Sequence, residues 1–154
     1  IQVDLNLPKR FGVTYTGSDG QEHEVIMLHR ALYGSLERFA GIYIEHTGAE
    51  FPVWIAPVQV KVIPANPKAN DYALATTEML KAGGLRAEID LRDEKMGAKI
   101  RDAELLKIPY MLVVGPREAE SGTCTPRRKG VGQPESMTLQ AFLERVQREV
   151  IEKS

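Results

Sequence analysis

Apolar and polar residues alternate along two stretches near the start of this chain, Ile1–Leu7 and Glu24–His29. An alternation of period two marks a strand with one buried face. Between the two, Gly17-Ser18-Asp19-Gly20 supplies residues suited to a turn. The period then changes. Leu36, Phe39, Ala40 and Tyr43 recur at three and four residues, which predicts a helix from about Ser35 to His46. Past Pro57 the pattern becomes strand–helix–strand. Val58, Val60 and Val62 alternate with Gln59 and Lys61, as in a half-buried strand. Asn70 is placed to cap a helix running to about Ala82 and stopping at Gly83-Gly84. Leu85, Ala87 and Ile89 give the next strand, and a charged turn follows at Asp90–Lys95. A helix from about Met96 to Lys107 sets Ile100 and Ala103 on one side. Tyr110–Val114 is a continuous apolar run ended by Gly115, the pattern of a buried central strand. Thr123–Thr125 reads as a further strand. Thr138 then precedes a helix in which Leu139, Phe142, Leu143, Val146 and Val150 form one stripe.

This order predicts an α/β domain with a mixed, mainly parallel sheet flanked by helices. The first block is different. Two strands and one helix bury too little surface to offset chain entropy, so this block needs a partner, most simply further chain. The expected division is residues 1–50, a linker at 51–57, and the α/β domain at 58–154. No internal repeat and no low-complexity tract interrupts it.

Composition narrows the picture. The chain has 154 residues, of which 43% are hydrophobic, enough for one good core and part of a second. A formal net charge of -1 excludes a wholesale polybasic binder but leaves room for a local basic patch. Cys124 is the sole cysteine, so no internal disulfide or cysteine cage for zinc can form, and a reducing cytoplasm is the default. It reads as a small apolar packing residue. No apolar run approaches the roughly 20 residues that span a bilayer. The chain opens on Ile1-Gln2-Val3-Asp4-Leu5 with neither an initiator Met nor a signal-peptide pattern, as expected of a segment of something longer.

Candidate chemistry concentrates in Leu28-His29-Arg30-Ala31-Leu32-Tyr33-Gly34-Ser35-Leu36-Glu37-Arg38-Phe39. Arg38 carries a permanent charge on a planar fork, suited to triphosphate oxygens, and it stands at a helix start whose free N–H groups also favour anions. Taken singly it is more often an ordinary Glu-Arg pair on a solvated face, and the surrounding residues reverse that reading. Gly34 and Ser35 allow a ligand close to the backbone.

His-Arg-Ala followed by Gly-Ser-Leu-Glu-Arg-Phe, then Phe51-Pro52-Val53-Trp54-Ile55-Ala56-Pro57-Val58-Gln59-Val60, resembles the threonyl-tRNA synthetase family of class II aminoacyl-tRNA synthetases. The resemblance covers essentially the whole chain. It implies a C-terminal piece of the antiparallel catalytic domain, holding the third class II motif, followed by an anticodon-binding domain. It also implies ATP-dependent activation of threonine and transfer to tRNA(Thr), by an intact enzyme that is a homodimer. Arg38 would then act on the ATP phosphates, whose companion is Mg. Gln2, Ala31, Ser35 and Arg38 would line the ATP and threonine pocket, and His29 would be a zinc ligand in the intact enzyme. The other family ligands, a cysteine and a histidine, are absent here, as are the first two motifs. The chain alone is therefore expected to hold no zinc and to be inactive. From its residue type alone, Gln2 is equally an outward strand residue.

The same resemblance gives the second block its reading residues. They are Asp93 and Lys95 in the charged turn, Glu118 after Gly115-Pro116-Arg117, and Arg127 on the later strand. Unpaired bases expose their Watson–Crick edges, so a carboxylate can accept from guanine N1 and N2 and an arginine can donate to carbonyls. Asp93 stands where many relatives carry asparagine, which removes a donor and adds a charge. Lys95, Lys99, Arg101, Arg128 and Lys129 are candidates for phosphate contacts. A stand-alone, non-catalytic tRNA- or RNA-binding module is the competing reading. A small-molecule α/β module is disfavoured, since no Gly-rich loop follows Val58–Ile63 or Leu85–Asp90.

Overall fold

The computed structural model describes residues 1–128 and 135–154. They divide into two units, Ile1–Tyr43 and Ile44–Ser154. Among the described residues no helix is long and apolar enough to cross a membrane.

In the first unit β1 (Gln2–Asp4) pairs antiparallel with β4 (Met27–His29), Val3 opposite Leu28. The strand expected to run to Leu7 stops early because Asp4 turns the chain. Its Oδ1 accepts from the N–H groups of Asn6 (2.8 Å) and Leu7 (2.9 Å). The short helix α1 (Leu7–Arg10) follows, with Pro8 in its first turn. A hairpin that the alternation did not reveal comes next, β2 (Thr14–Thr16) against β3 (Glu22–Glu24). The expected strand from Glu24 is thus split, since Glu24 closes the hairpin and Met27 opens β4. Then comes α2 (Leu36–Thr47), whose last residues belong to the second unit. Within residues 1–43 only Pro8 is buried. Leu28, Leu32, Leu36 and Ile42 each keep 60% or more of their surface exposed. This unit has no core of its own.

The second unit is an α/β fold. Its sheet holds β5 (Val60–Pro64), β6 (Ala87–Ile89), β7 (Tyr110–Val114), β8 (Thr123–Arg127) and β9 (Met137–Thr138) in the order β6-β5-β7-β8-β9. Strand β5 lies parallel to both β6 and β7. Strand β8 is antiparallel to β7 and β9 to β8, so β9 again runs with the parallel set. The helices are α3 (Asn70–Ala82), α4 (Met96–Leu105), α5 (Pro116–Ser121) and α6 (Leu139–Glu152). Successive side chains of a strand point to opposite faces. Accordingly Leu112 and Val114 pack with Leu80 of α3 and Phe142 and Val146 of α6. Met111 packs on the other face with Ile63, Ala103 and Ile108.

Several local expectations change once neighbours are present. Strand β5 is central and buried on both faces, so Ile63 is as buried as Val62 and the half-buried alternation does not hold. Asn70 is the first residue of α3 and its side chain does not cap that helix. Asn66 does the capping, its Oδ1 accepting from Lys68 N at 3.1 Å over a 3-10 turn (Pro67–Ala69) that leads into α3. Helix α4 ends at Leu105, with Lys107 at a φ of 57° reversing the chain. Helix α5 was not foreseen, and β8 continues past Thr125 to Arg127. Thr138 does cap α6, its Oγ1 accepting from Ala141 N at 3.2 Å.

Candidate nucleic-acid interface

Because β5, β6 and β7 are parallel, the loops that leave them emerge at one edge of the sheet. After β5 the chain stays close, Ala65 N donating to Val114 O at 2.8 Å. After β6 comes the turn bearing Asp93 and Lys95, and after β7 comes α5 with Glu118 in its first turn. A cavity of about 430 Å³ opens at this edge, lined by Pro64, Asn66, Asn70, Arg92, Asp93 and Lys99 among others.

What each polar group can do depends on what it already binds. Asp93 and Lys95 are exposed, and their side chains have no hydrogen bond or ion pair among the described residues. Lys95 precedes α4 in an extended conformation (φ -60°, ψ 136°). The exposed Arg101 and Arg117 are equally free among the described residues apart from the Arg117 backbone carbonyl, which accepts from Ser121. Glu118 is partly engaged, its Oε2 accepting from Gly115 N at 2.9 Å. That bond caps α5 and leaves the other carboxylate oxygen open.

Arg127 is not gathered with these residues. It pairs with Met111, three residues before Val114, so it stands about 10 Å back along the sheet from the edge. Cys124 and Pro126 are buried on the α3 and α6 side, so Arg127 occupies the opposite face with Thr123 and Thr125. It is exposed and without a partner among the described residues.

One expected phosphate contact is corrected and a second is already engaged within the protein. Lys99 is buried, with Nζ 3.2 Å from the Asp90 carbonyl oxygen, because it lies on the same side of α4 as Ile100 and Ala103. Arg128 donates to the Tyr110 hydroxyl and Glu149 Oε2, both at 3.2 Å, and covers the Tyr110 ring. Lys99 is thereby withdrawn from the surface, whereas the Arg128 side chain is paired but still 36% exposed. Lys129, with Gly130, lies outside the described residues.

Sequence reasoning missed the group that surrounds Lys99. Asp90 is buried and accepts from Arg92, which also reaches Asp102. The Arg92 guanidinium holds the Asp90 carboxyl below its usual range. One signal was legible, a lysine at the apolar phase of α4 between Met96 and Ala103.

In the first unit Gln2 lies opposite His29 across β1 and β4. His29 Nε2 is 3.0 Å from Asp4 Oδ2. The Asp4 carboxyl is lowered, first by the Leu7 and Asn6 N–H groups and then by His29. Ser35 Oγ accepts from Arg38 N (3.1 Å) and donates to Glu37 (2.9 Å), so it caps α2. Ala31 lies between β4 and α2, and the Arg38 side chain is exposed without a partner among the described residues. A catalytic zinc needs three protein ligands. Among the described residues no group of three or more histidine, cysteine or acidic side chains could hold a metal, and His29 has Asp4 alone. The described residues do not by themselves supply such a set of ligands.

Residues 59–149 match the model of the anticodon binding domain family. The chain is 56% identical over 153 residues to a threonine–tRNA ligase of Thermus thermophilus, covering 99% of this chain and 23% of that protein. It is 46% identical to the threonine–tRNA ligase of Prosthecochloris aestuarii over 100% of this chain and 23% of the relative. The chain thus spans about a quarter of these curated relatives. Among solved structures it resembles the RNA binding domain of threonyl-tRNA synthetase from Cryptosporidium parvum, with a TM-score of 0.88 and 32% identity. That match covers 97% of this chain and 38% of the other. A prolyl-tRNA synthetase from the same organism, 20% identical with a TM-score of 0.67, covers 96% of this chain and 32% of its own and shares the fold.

Proposed function

The chain belongs to the anticodon binding domain family and is homologous to the C-terminal part of threonine–tRNA ligase, and from that footing we propose that it recognises tRNA(Thr) for an enzyme that joins threonine to it. In this reading residues 1–50 complete a catalytic domain, 51–57 link, and 58–154 read the anticodon. Asp93 and Glu118 accept from base N–H groups, Arg127 donates to base carbonyls, and Lys95 pairs with phosphate. The observation that carries this is the parallel-strand edge. The loops that carry Asp93, Lys95 and Glu118 all leave from it, and the first two side chains have no partner among the described residues, which supports this reading.

The first unit supports an enzyme rather than a stand-alone RNA-binding module. Leu28, Leu32, Leu36 and Ile42 stand exposed, as residues do when another part of a protein is meant to cover them. ATP with Mg would supply the activating phosphates. Arg38 would place its permanent charge beside them, with Gln2, Ala31 and Ser35 lining the same pocket. Zinc belongs to the intact enzyme in this reading, with His29 one of its ligands. The resemblance also supports a homodimer in the cytoplasm for the intact enzyme. These residues alone are expected to show no threonine-dependent pyrophosphate exchange.

The test is binding to a threonine-tRNA anticodon stem-loop and to a variant with the middle guanine replaced, across a salt series. A loss of about 1–3 kcal/mol for the variant supports base readout. Equal and steeply salt-dependent binding would leave only a phosphate patch and overturn the reading.

A further inference from the structure

The turn that carries Asp93 and Lys95 is held by a cluster whose charges are already paired with one another. Asp90 extends the β6–β5 pairing, its N–H donating to Val62 O at 2.9 Å, and only 5% of its surface is exposed. Two residues on, Arg92 bends back to it. Arg92 N and Nε lie 3.1 and 3.0 Å from Oδ1, and NH2 lies 2.6 Å from Oδ2. The remaining guanidinium nitrogen, NH1, reaches Asp102 Oδ2 on α4 at 3.0 Å. One turn earlier on α4, Lys99 donates to the Asp90 carbonyl at 3.2 Å. Inside the turn, Glu94 N donates to Arg92 O at 2.9 Å.

Every guanidinium nitrogen of Arg92 is therefore committed to a carboxylate, in the bidentate geometry that arginine favours. Two carboxylates face two cations, so the cluster is neutral overall. Asp93 and Lys95 flank this staple and have no partner among the described residues to fix them otherwise. We propose that Arg92 is a positioning residue for base recognition, stapling the β6–α4 turn to Asp90 on the strand and Asp102 on the helix so that Asp93 and Lys95 meet the anticodon in one geometry. This rests on the reading of the edge as the anticodon site.

The alternative for Arg92 is direct contact with phosphate, and Asp102 separates the two. Asp102 sits on the outer part of α4, where alanine is a good helix former. The experiment measures binding of the full chain to the anticodon stem-loop and to the middle-guanine variant for wild type, Asp102→Ala, Arg92→Lys and Arg92→Gln. Hydrogen exchange at the 93–95 amides is followed without RNA. For Asp102→Ala the matched-to-mismatched ratio is expected to fall about threefold or more. Exchange at the turn should quicken while the salt slope stays that of wild type. Arg92→Lys, which can reach one carboxylate but not grip both, should fall between wild type and Arg92→Gln. Tighter binding of both RNAs by Asp102→Ala would mean that freed Arg92 contacts phosphate, and would overturn the proposal. So would unchanged ratios and exchange in a discriminating wild type. A wild type that fails to discriminate while its turn amides are protected in an Asp102-dependent way would sink the anticodon reading but leave the staple standing.

Discussion

The Tyr110 hydroxyl donates to Glu149 Oε1 at 2.7 Å, tying the first residue of β7 to the last turn of α6. Arg128 donates to both groups, and Phe142 meets the Tyr110 ring edge-on at 5.4 Å. The residue that follows Arg127 is thereby anchored to Tyr110 and Glu149. Burial and the neighbouring Glu149 carboxylate both raise the Tyr110 hydroxyl above its usual range. A raised folded value contributes stability that is complete below the unfolded value of about 10 and is lost as pH rises through the folded one. Tyr110→Phe should cost about 1 kcal/mol at neutral pH, a deficit that shrinks above about pH 10. Urea unfolding of both proteins between neutral and alkaline pH checks it.

Asp90 gives the opposite pH dependence. Its carboxyl is lowered, first by hydrogen bonds from Arg92, so its contribution is present above the ordinary value of about 3.9 and is lost as pH falls through the depressed one. Arg92→Gln should be less stable than wild type at neutral pH, with the gap narrowing below about pH 4. Thermal unfolding across the acid range would refute this if the gap stayed constant.

Gly83 ends α3 against α6. A Cβ added there would lie 2.6 Å from Leu143 Cδ1, a side chain that is itself buried. Gly83→Ala is therefore expected to destabilise by about 1–3 kcal/mol through overpacking. The adjacent Gly84 has open space but a φ of 84°, so its alanine variant should lose about 1–2 kcal/mol to backbone strain. Pairing Gly83→Ala with Leu143→Ala should recover part of the first loss and none of the second.

Lys95 and Lys99 are four residues apart, yet only Lys95 is free to meet a phosphate. Lys95→Ala should lower the salt-dependence slope of stem-loop binding by about 1. Lys99→Met should leave that slope unchanged while altering the unfolding midpoint. Equal slopes for the two variants would remove the distinction.

Cys124 is fully buried, and burial pushes its thiol up to about 11. At pH 8 it should resist iodoacetamide in the native chain and react readily in urea. Fast native alkylation would contradict its place in the core.

Much of this was legible before any fold was known. The run Tyr110–Val114 announced a central strand because continuous apolarity requires burial on both faces. The α6 stripe from Leu139 to Val146 is buried as its period required, and Thr138 caps it. Short elements escaped because they carry little pattern. The β2–β3 hairpin has three residues a side, and α5 has six. Of the candidate interface, the chemistry of Asp93, Lys95, Glu118 and Arg127 came from residue type and resemblance. Their spacing in space did not.

The sequence by itself determined the order of elements and the presence of a mainly parallel sheet, because periodicity records which side of each element faces a core. It also carried a lysine at an apolar helix position without saying what that lysine binds. Only the tertiary structure decided which charges are spent. Whether Arg92, Lys99 and Arg128 face outward or face Asp90, Asp102 and Glu149 depends on how the turn after β6 meets α4 and how the end of β8 meets α6. Ion pairing falls off over a few ångströms, while the partners lie up to 21 residues apart in the chain, so no local pattern records it.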